Sequence, residues 1–184
     1  GNAGFLRSDP ATGGSHIAIV VVTDEEGCSS RNTGHFISTN DPSNPLSRHG
    51  VNLRCFYNKQ NVFDPERYIR GYRELRPGKP ELVMYGAIVG VPPDLVSATA
   101  RTNVRWGDQA ARDAYYDSLL NDPRMQEVSE NEDVPAIANV RPSCTWTDAT
   151  GSSATAFPPR RFIEVAKGLG TNTLIQSICQ NDFS

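Results

Sequence analysis

Seven consecutive residues, Ile17 to Thr23, are β-branched or small and apolar, and they show no alternation with polar positions. Such a run reads as a strand buried on both faces of a parallel sheet. ELVMYGAIV, Glu81 to Val89, reads as a second buried strand, ended by Gly90-Val91-Pro92-Pro93, and Thr173 to Ile178 as a third. Between them the apolar period becomes helical. Asp64-Pro65-Glu66 opens a helix with Tyr68, Ile69, Tyr72 and Leu75 on one face, stopped by Pro77-Gly78. A second helix, from about Asp108 to Leu120, turns Ala111, Ala114, Tyr115 and Leu119 inward and closes at Asp122-Pro123. A third starts at Pro158-Pro159, carries Phe162, Ile163, Ala166 and Leu169 on one face, and ends at Gly168 and Gly170.

Two polar stretches lack any period. Residues 27–53 read as one long loop, and residues 126–156, acidic and then rich in Ser, Thr and Ala, as another. Loops of that length in a compact domain are usually functional or tethered. The order strand, helix, strand, helix, helix, strand predicts an α/β fold: part of a doubly wound, mainly parallel sheet flanked by helices. Residues 1–184 are taken as a single domain, entered through a Gly-, Ser- and Pro-rich segment over residues 1–15.

The first strand runs directly into Asp24, Glu25 and Glu26. In open α/β sheets ligands bind outside the carboxyl ends of the strands, so these acids stand where a hard cation or a polar partner could be held. The block Val20 to Asp24 resembles the fourth-strand motif of von Willebrand factor type A (VWA) domains, in which an apolar strand ends in Thr-Asp. The string TDEEGCS and the closing string SICQNDFS, Ser177 to Ser184, are similar to a secreted bacterial branch of that family. The resemblance implies a Rossmann-like sheet and a metal-ion-dependent adhesion site to which Asp24 contributes, with Thr23, Glu25 and Glu26 in the metal loop. It also marks departures. The Gly that usually follows the motif Asp is Glu25 here, and no Asp-x-Ser-x-Ser follows a strand. The nearest string, Asp41-Pro42-Ser43-Asn44-Pro45, reads as a turn.

What the resemblance implies is therefore the carboxyl-terminal half of a VWA domain, lacking its N-terminal strands, with most metal ligands outside this chain. Mg²⁺ or Ca²⁺ would be the ion, held weakly or not at all by the chain alone. The strand formed by Ile17, Ala18, Ile19, Val20, Val21 and Val22 would be central in the whole domain, so one of its edges needs a neighbour. That neighbour is expected to be a second polypeptide or the severed N-terminal half. The chain begins Gly1-Asn2-Ala3 without an initiator Met, as a processed product or a fragment would.

Composition removes several function classes. With 38% hydrophobic and 21% charged residues the chain is ordinary globular material, and a net charge of −3 leaves no electrostatic footprint for nucleic acid. No apolar run is long enough to span a bilayer. Cys28, Cys55, Cys144 and Cys179 show neither C-x-x-C spacing nor a His at zinc-ligand spacing, which argues against a zinc site. Their even number on separated segments fits two disulfides in a secreted, periplasmic or cell-surface protein, although free thiols in a reducing compartment are the alternative. Of the three pairings, Cys28 with Cys55 and Cys144 with Cys179 is preferred. Each would close a loop of roughly 30 residues and contribute about 3 to 4 kcal/mol on the chain-entropy model.

Enzyme signatures are absent from the string. His16, His35 and His49 share no metal-ligand spacing and read as surface residues, and no G-x-S-x-G elbow, phosphate loop or G-x-G-x-x-G occurs. Gly86 and Gly90 read as close-packing positions. The function that the resemblance implies is a non-catalytic, extracytoplasmic binding or adhesion module with a protein ligand. A secreted hydrolase using Asp24, Glu25 and Glu26, or a metal-free scaffold, are the alternatives.

Overall fold

The computed structural model describes residue 6 and residues 14–37, 41–134 and 136–180. The last four residues of the closing motif, 181–184, and most of the entry segment lie outside the described residues. The chain is mixed α/β, built on a three-stranded parallel sheet and two disulfides.

Strand β1 spans Ile17–Val22. After the polar segment, a four-residue helix α1, Arg54–Tyr57, precedes helix α2, Pro65–Arg73. Asp64 caps α2 by accepting the Glu66 amide at 2.8 Å, with Pro65 in the first turn, as the sequence predicts. Strand β2, Val83–Val89, begins two residues later than expected because Pro80–Leu82 form a 3₁₀ turn. Helices α3, Ala98–Thr102, and α4, Gln109–Asn121, follow, α4 capped by Asp108 at the Ala111 amide. The stretch expected to be irregular contains two small antiparallel pairs. These are β3, Ser129–Glu130, with β4, Asn139–Val140, and β5, Cys144–Thr147, with β6, Ser153–Ala156. Helix α5, Arg160–Leu169, ends on Gly170 at φ 92°, and strand β7, Thr173–Ser177, completes the main sheet.

The sheet order is β1-β2-β7, all parallel, with Ile17 opposite Val83 and Tyr85 opposite Thr173. Side chains of alternate parity therefore face opposite sides. The odd-numbered set, Tyr85, Ala87, Val89 and Ile175 with Ile19 and Val21 beside them, packs against Ile69 of α2, Tyr115, Tyr116 and Leu119 of α4, and Ile163 and Ala166 of α5. The other face is open. Val20 and Val22 are 62% and 61% exposed, Met84 43% and Leu174 47%.

This corrects one expectation. The strand Ile17–Val22 is not buried on both faces: Val20 and Val22 are exposed, and among the described residues the helices of the core pack against the opposite face. An unbroken apolar run records that both faces are fit for burial; it does not record whether the same chain supplies the cover.

The two glycines of β2 and its exit differ. A Cβ on Gly90 would collide with the Phe157 carbonyl oxygen and come within 2.9 Å of the Ala156 Cβ, whereas one on Gly86 would meet only the Val20 Cγ2 at 4.0 Å. Close packing is real at Gly90 alone. No helix among the described residues is long and apolar enough to cross a membrane.

Candidate functional site

At the carboxyl end of β1 the backbone is pinned on both sides. Thr23 donates its amide to the Ile88 carbonyl at 3.1 Å, and Phe157, just past β6, donates to the Asp24 carbonyl at 2.8 Å. The Thr23 hydroxyl accepts the Glu25 amide at 3.1 Å, turning the chain. These bonds aim the three acids apart. Asp24 and Glu25 are exposed at the rim, while the Glu26 carboxylate turns inward, accepting the Gly27 amide at 2.7 Å and the Arg161 amide at 3.0 Å. Arg161 lies in the first turn of α5, whose N-cap is Pro159, a residue with no side-chain acceptor. Glu26 thus supplies the cap that Pro159 lacks and joins the β1 loop to α5.

Burial pushes the Glu26 carboxyl up to about 8, despite the two amide donors and the Arg161 charge that favour ionisation, and the Glu127 charge raises it further. Glu25 is raised by partial burial and by the Asp24 charge, and Glu164 by burial against the opposing pull of Arg160 and Arg161.

Glu25 and Glu26 form one side of a cavity of about 530 Å³. Its other walls come from α5 (Arg160, Arg161, Glu164), from Glu127, and from the long polar segment, including Cys28, His35 and Cys55. Lys59 and Glu127, both at its lining, are ion-paired at 2.6 Å. Arg160 reaches away, donating to the Leu120 and Met125 carbonyls at 2.6 and 3.0 Å, which fixes α5 to the end of α4.

The polar segment is ordered by its own chemistry. Asp41 accepts the Ser43 amide and hydroxyl at 2.9 and 2.6 Å, so the string Asp41 to Pro45 is a turn, as read from the sequence. Ser29 and Asn61 carbonyls accept the Phe63 and Arg31 amides at 2.9 and 2.8 Å, clamping the Cys28 arm to the chain after α1. Arg54, 1% exposed, donates to the His49 carbonyl at 3.2 Å, to the His35 carbonyl at 3.1 Å and to the Ile37 carbonyl.

Cys28 is joined to Cys55 and Cys144 to Cys179, with Cα separations of 5.8 and 6.1 Å. Beside the first bridge stands His35, 1% exposed, its Nδ1 3.6 Å from the Cys55 sulfur and its Nε2 without a hydrogen-bond partner. Burial, with the Arg54 charge adding to it, lowers the His35 pKa. One ligand atom from each of Cys28, His35 and Cys55 lies within 4.8 Å of the others.

Two sequence expectations are corrected here. His35 is buried rather than on the surface, and a histidine does stand at ligand range of two cysteines. Linear spacing misses the group because Cys55 is brought back to Cys28 by the strand-like clamp at Ser29 and Phe63, and His35 by the Arg54 guanidinium donating to its carbonyl. Among the described residues, Asp24, Glu25 and Glu26 do not form a three-ligand group of that kind.

The edge strand Ile17, Ala18, Ile19, Val20, Val21 and Val22 has β2 on one side, and among the described residues no strand lies along the other. Because a strand's N–H and C=O groups alternate between its edges, the Thr23 bond to Ile88 turns the groups of Ile19 and Val21 to β2 and those of Ala18, Val20 and Val22 away from it. Comparison with protein-family models, with curated proteins and with solved structures gives no match to this chain.

Proposed function

We propose that this chain is a non-catalytic, extracytoplasmic binding module of VWA type, in which Asp24 contributes to a divalent-cation-dependent ligand site completed by residues outside the chain. The observation that carries this reading is the open side of β1. Val20 and Val22 offer apolar side chains to one face, the backbone groups of Ala18, Val20 and Val22 point to the free edge, and exposed Asp24 follows at the carboxyl end. A parallel strand added along Ile17–Val22, with a helix laid over Val20, Val22, Met84 and Leu174, answers both needs and brings a second loop alongside Asp24. The order β1-β2-β7 supports the same reading, since it leaves the strand that carries the Thr-Asp motif at the boundary where the missing strands would join.

The two disulfides fit an oxidising compartment. The ion would be Mg²⁺ or Ca²⁺, whose oxygen-rich shells one exposed carboxylate cannot fill. The hydrolase alternative has less support: both oxygens of Glu26 are engaged by backbone amides of a helix start and its own loop, so this carboxyl anchors structure.

Amide exchange followed by NMR on the chain alone tests the reading. Ala18, Val20 and Val22 should exchange much faster than Ile19, Val21 and Thr23. Equal protection of both sets would mean that the edge is already closed by the chain itself, and the external strand would lose its basis. Calorimetry with Mg²⁺ and with Ca²⁺ should give weak or no heat on the same sample. A submicromolar site there would place the full ligand set within these residues and overturn the shared-site reading.

A further inference from the structure

We propose that Cys28, His35 and Cys55 form a redox-gated site for a borderline-soft divalent cation of the Zn²⁺ type, closed by the disulfide and opened by a dithiol reductant. This inference is independent of the binding-module reading, since it uses neither Asp24 nor the open edge of β1.

Three observations carry it. First, the donor set is right for such an ion: two sulfurs and an imidazole, with one ligand atom from each lying within 4.8 Å of the others. Second, the histidine has no other evident task. It is buried, Nδ1 faces the Cys55 sulfur at 3.6 Å, and Nε2 has no hydrogen-bond partner, an arrangement that costs free energy in a fold with no use for the ring. Third, the three arms are held together by bonds that do not involve sulfur. The Ser29 and Asn61 carbonyls tie the Cys28 arm to the chain following α1, and Arg54, adjacent to Cys55, holds the His35 carbonyl. Breaking the bridge therefore leaves the sulfurs near each other and near the ring, a preformed site in place of a released loop.

The chemistry balances simply. An external dithiol gives two electrons and two protons to the Cys28–Cys55 bond and leaves as its own disulfide, producing two thiols. Zn²⁺ then displaces one proton from each, forming two metal–thiolate bonds, and the imidazole adds a third through a lone pair. All three residues line the 530 Å³ cavity, so the fourth position opens onto that space and falls to water or to a small ligand. Reoxidation returns both electrons to an acceptor disulfide and expels the ion.

The full chain provides the test. Under anaerobic conditions, with and without a phosphine reductant, it is titrated with Co²⁺ as an optical probe and the ion is then competed off with Zn²⁺. The expected result is one Co²⁺ per chain with thiolate-to-metal charge-transfer absorption after reduction, and none before it. His35→Ala should weaken binding by about tenfold or more. Protection mapping on the unaltered protein covers the case in which that variant does not fold: bound Zn²⁺ should shield Cys28 and Cys55 from alkylation while leaving Cys144 and Cys179 as reactive as in its absence. Absence of uptake after reduction would overturn the proposal. So would protection of Cys144 and Cys179 in their place, or a folded His35→Ala variant that binds as the parent does.

Discussion

The Glu26 carboxylate, carried on the loop after β1, accepts the Arg161 backbone amide at 3.0 Å and so caps a helix that begins 134 positions further along the chain, at Arg160. The bond crosses from the edge of the sheet to the helix covering its centre. Because burial holds this carboxyl up at about 8, the cap changes character within the neutral range.

That carboxyl sets a pH dependence whose sign follows from linkage. A folded-state value of about 8 against an ordinary 4.5 means that the folded chain binds the extra proton between those limits. The contribution of Glu26 is thus most favourable below about pH 4.5 and declines as the pH rises toward 8. Glu26→Gln removes the titration and keeps one acceptor. Urea denaturation of parent and variant at pH 5, 6.5 and 8 should show the variant gaining on the parent as the pH rises. A difference independent of pH would mean that the group ionises normally.

Gly90 and Gly86 make a matched pair. Gly90→Ala drives a methyl group into the Phe157 carbonyl and should cost about 2 kcal/mol or more. Gly86→Ala meets only the Val20 side chain and should stay within about 0.5 kcal/mol of the parent. Thermal and urea unfolding of both decides the matter, and equal losses would contradict the close approach described at Gly90.

Arg54 holds the His49, His35 and Ile37 carbonyls with one guanidinium. Arg54→Met keeps much of the volume and removes all three donors, so a loss of about 3 kcal/mol is expected, mostly from carbonyls left without partners. Chemical modification of His35 gives a local readout. The buried ring should be unreactive in the parent and reactive in the variant, and an unreactive ring in both would show that other contacts hold the segment.

The Cys144–Cys179 bridge joins β5 to the chain just beyond β7 and closes a separation of 35 residues. Replacing both cysteines by Ala should lower stability by about 2 to 4 kcal/mol, since the unfolded chain regains the closed loop's freedom. Urea denaturation under non-reducing conditions measures it. A loss below 1 kcal/mol would mean that the small sheet β5-β6 holds its place without the bridge.

Much of the framework could be read from local signals. Strands β1 and β2 are apolar runs, and α2 and α4 start at Asp64 and Asp108, residues whose side chains bond the first free amides. The pairing of Cys28 with Cys55 is the one preferred from the sequence and the one the structure has, but the third member of that group carries no linear signal. His35 sits in a polar stretch of the sequence, and the tertiary bond from Arg54 that holds its segment has no local signal. Glu26 presents a similar difficulty. It lies beside two exposed acids in the same string, and what distinguishes it is a helix start brought up from 134 residues away. The pairs β3-β4 and β5-β6 are too short, and too poor in apolar alternation, for a periodic reading to find them.

The open face and edge of β1 also impose a kinetic condition. An apolar strand whose outward backbone groups meet no strand among the described residues is a template for another copy of itself. At high concentration the chain is exposed to edge-to-edge stacking, in which Val20 and Val22 of successive molecules pile into a growing ribbon. On the proposed reading, assembly is a race between the outside strand and a second copy, which favours a neighbour tethered nearby over one that diffuses in.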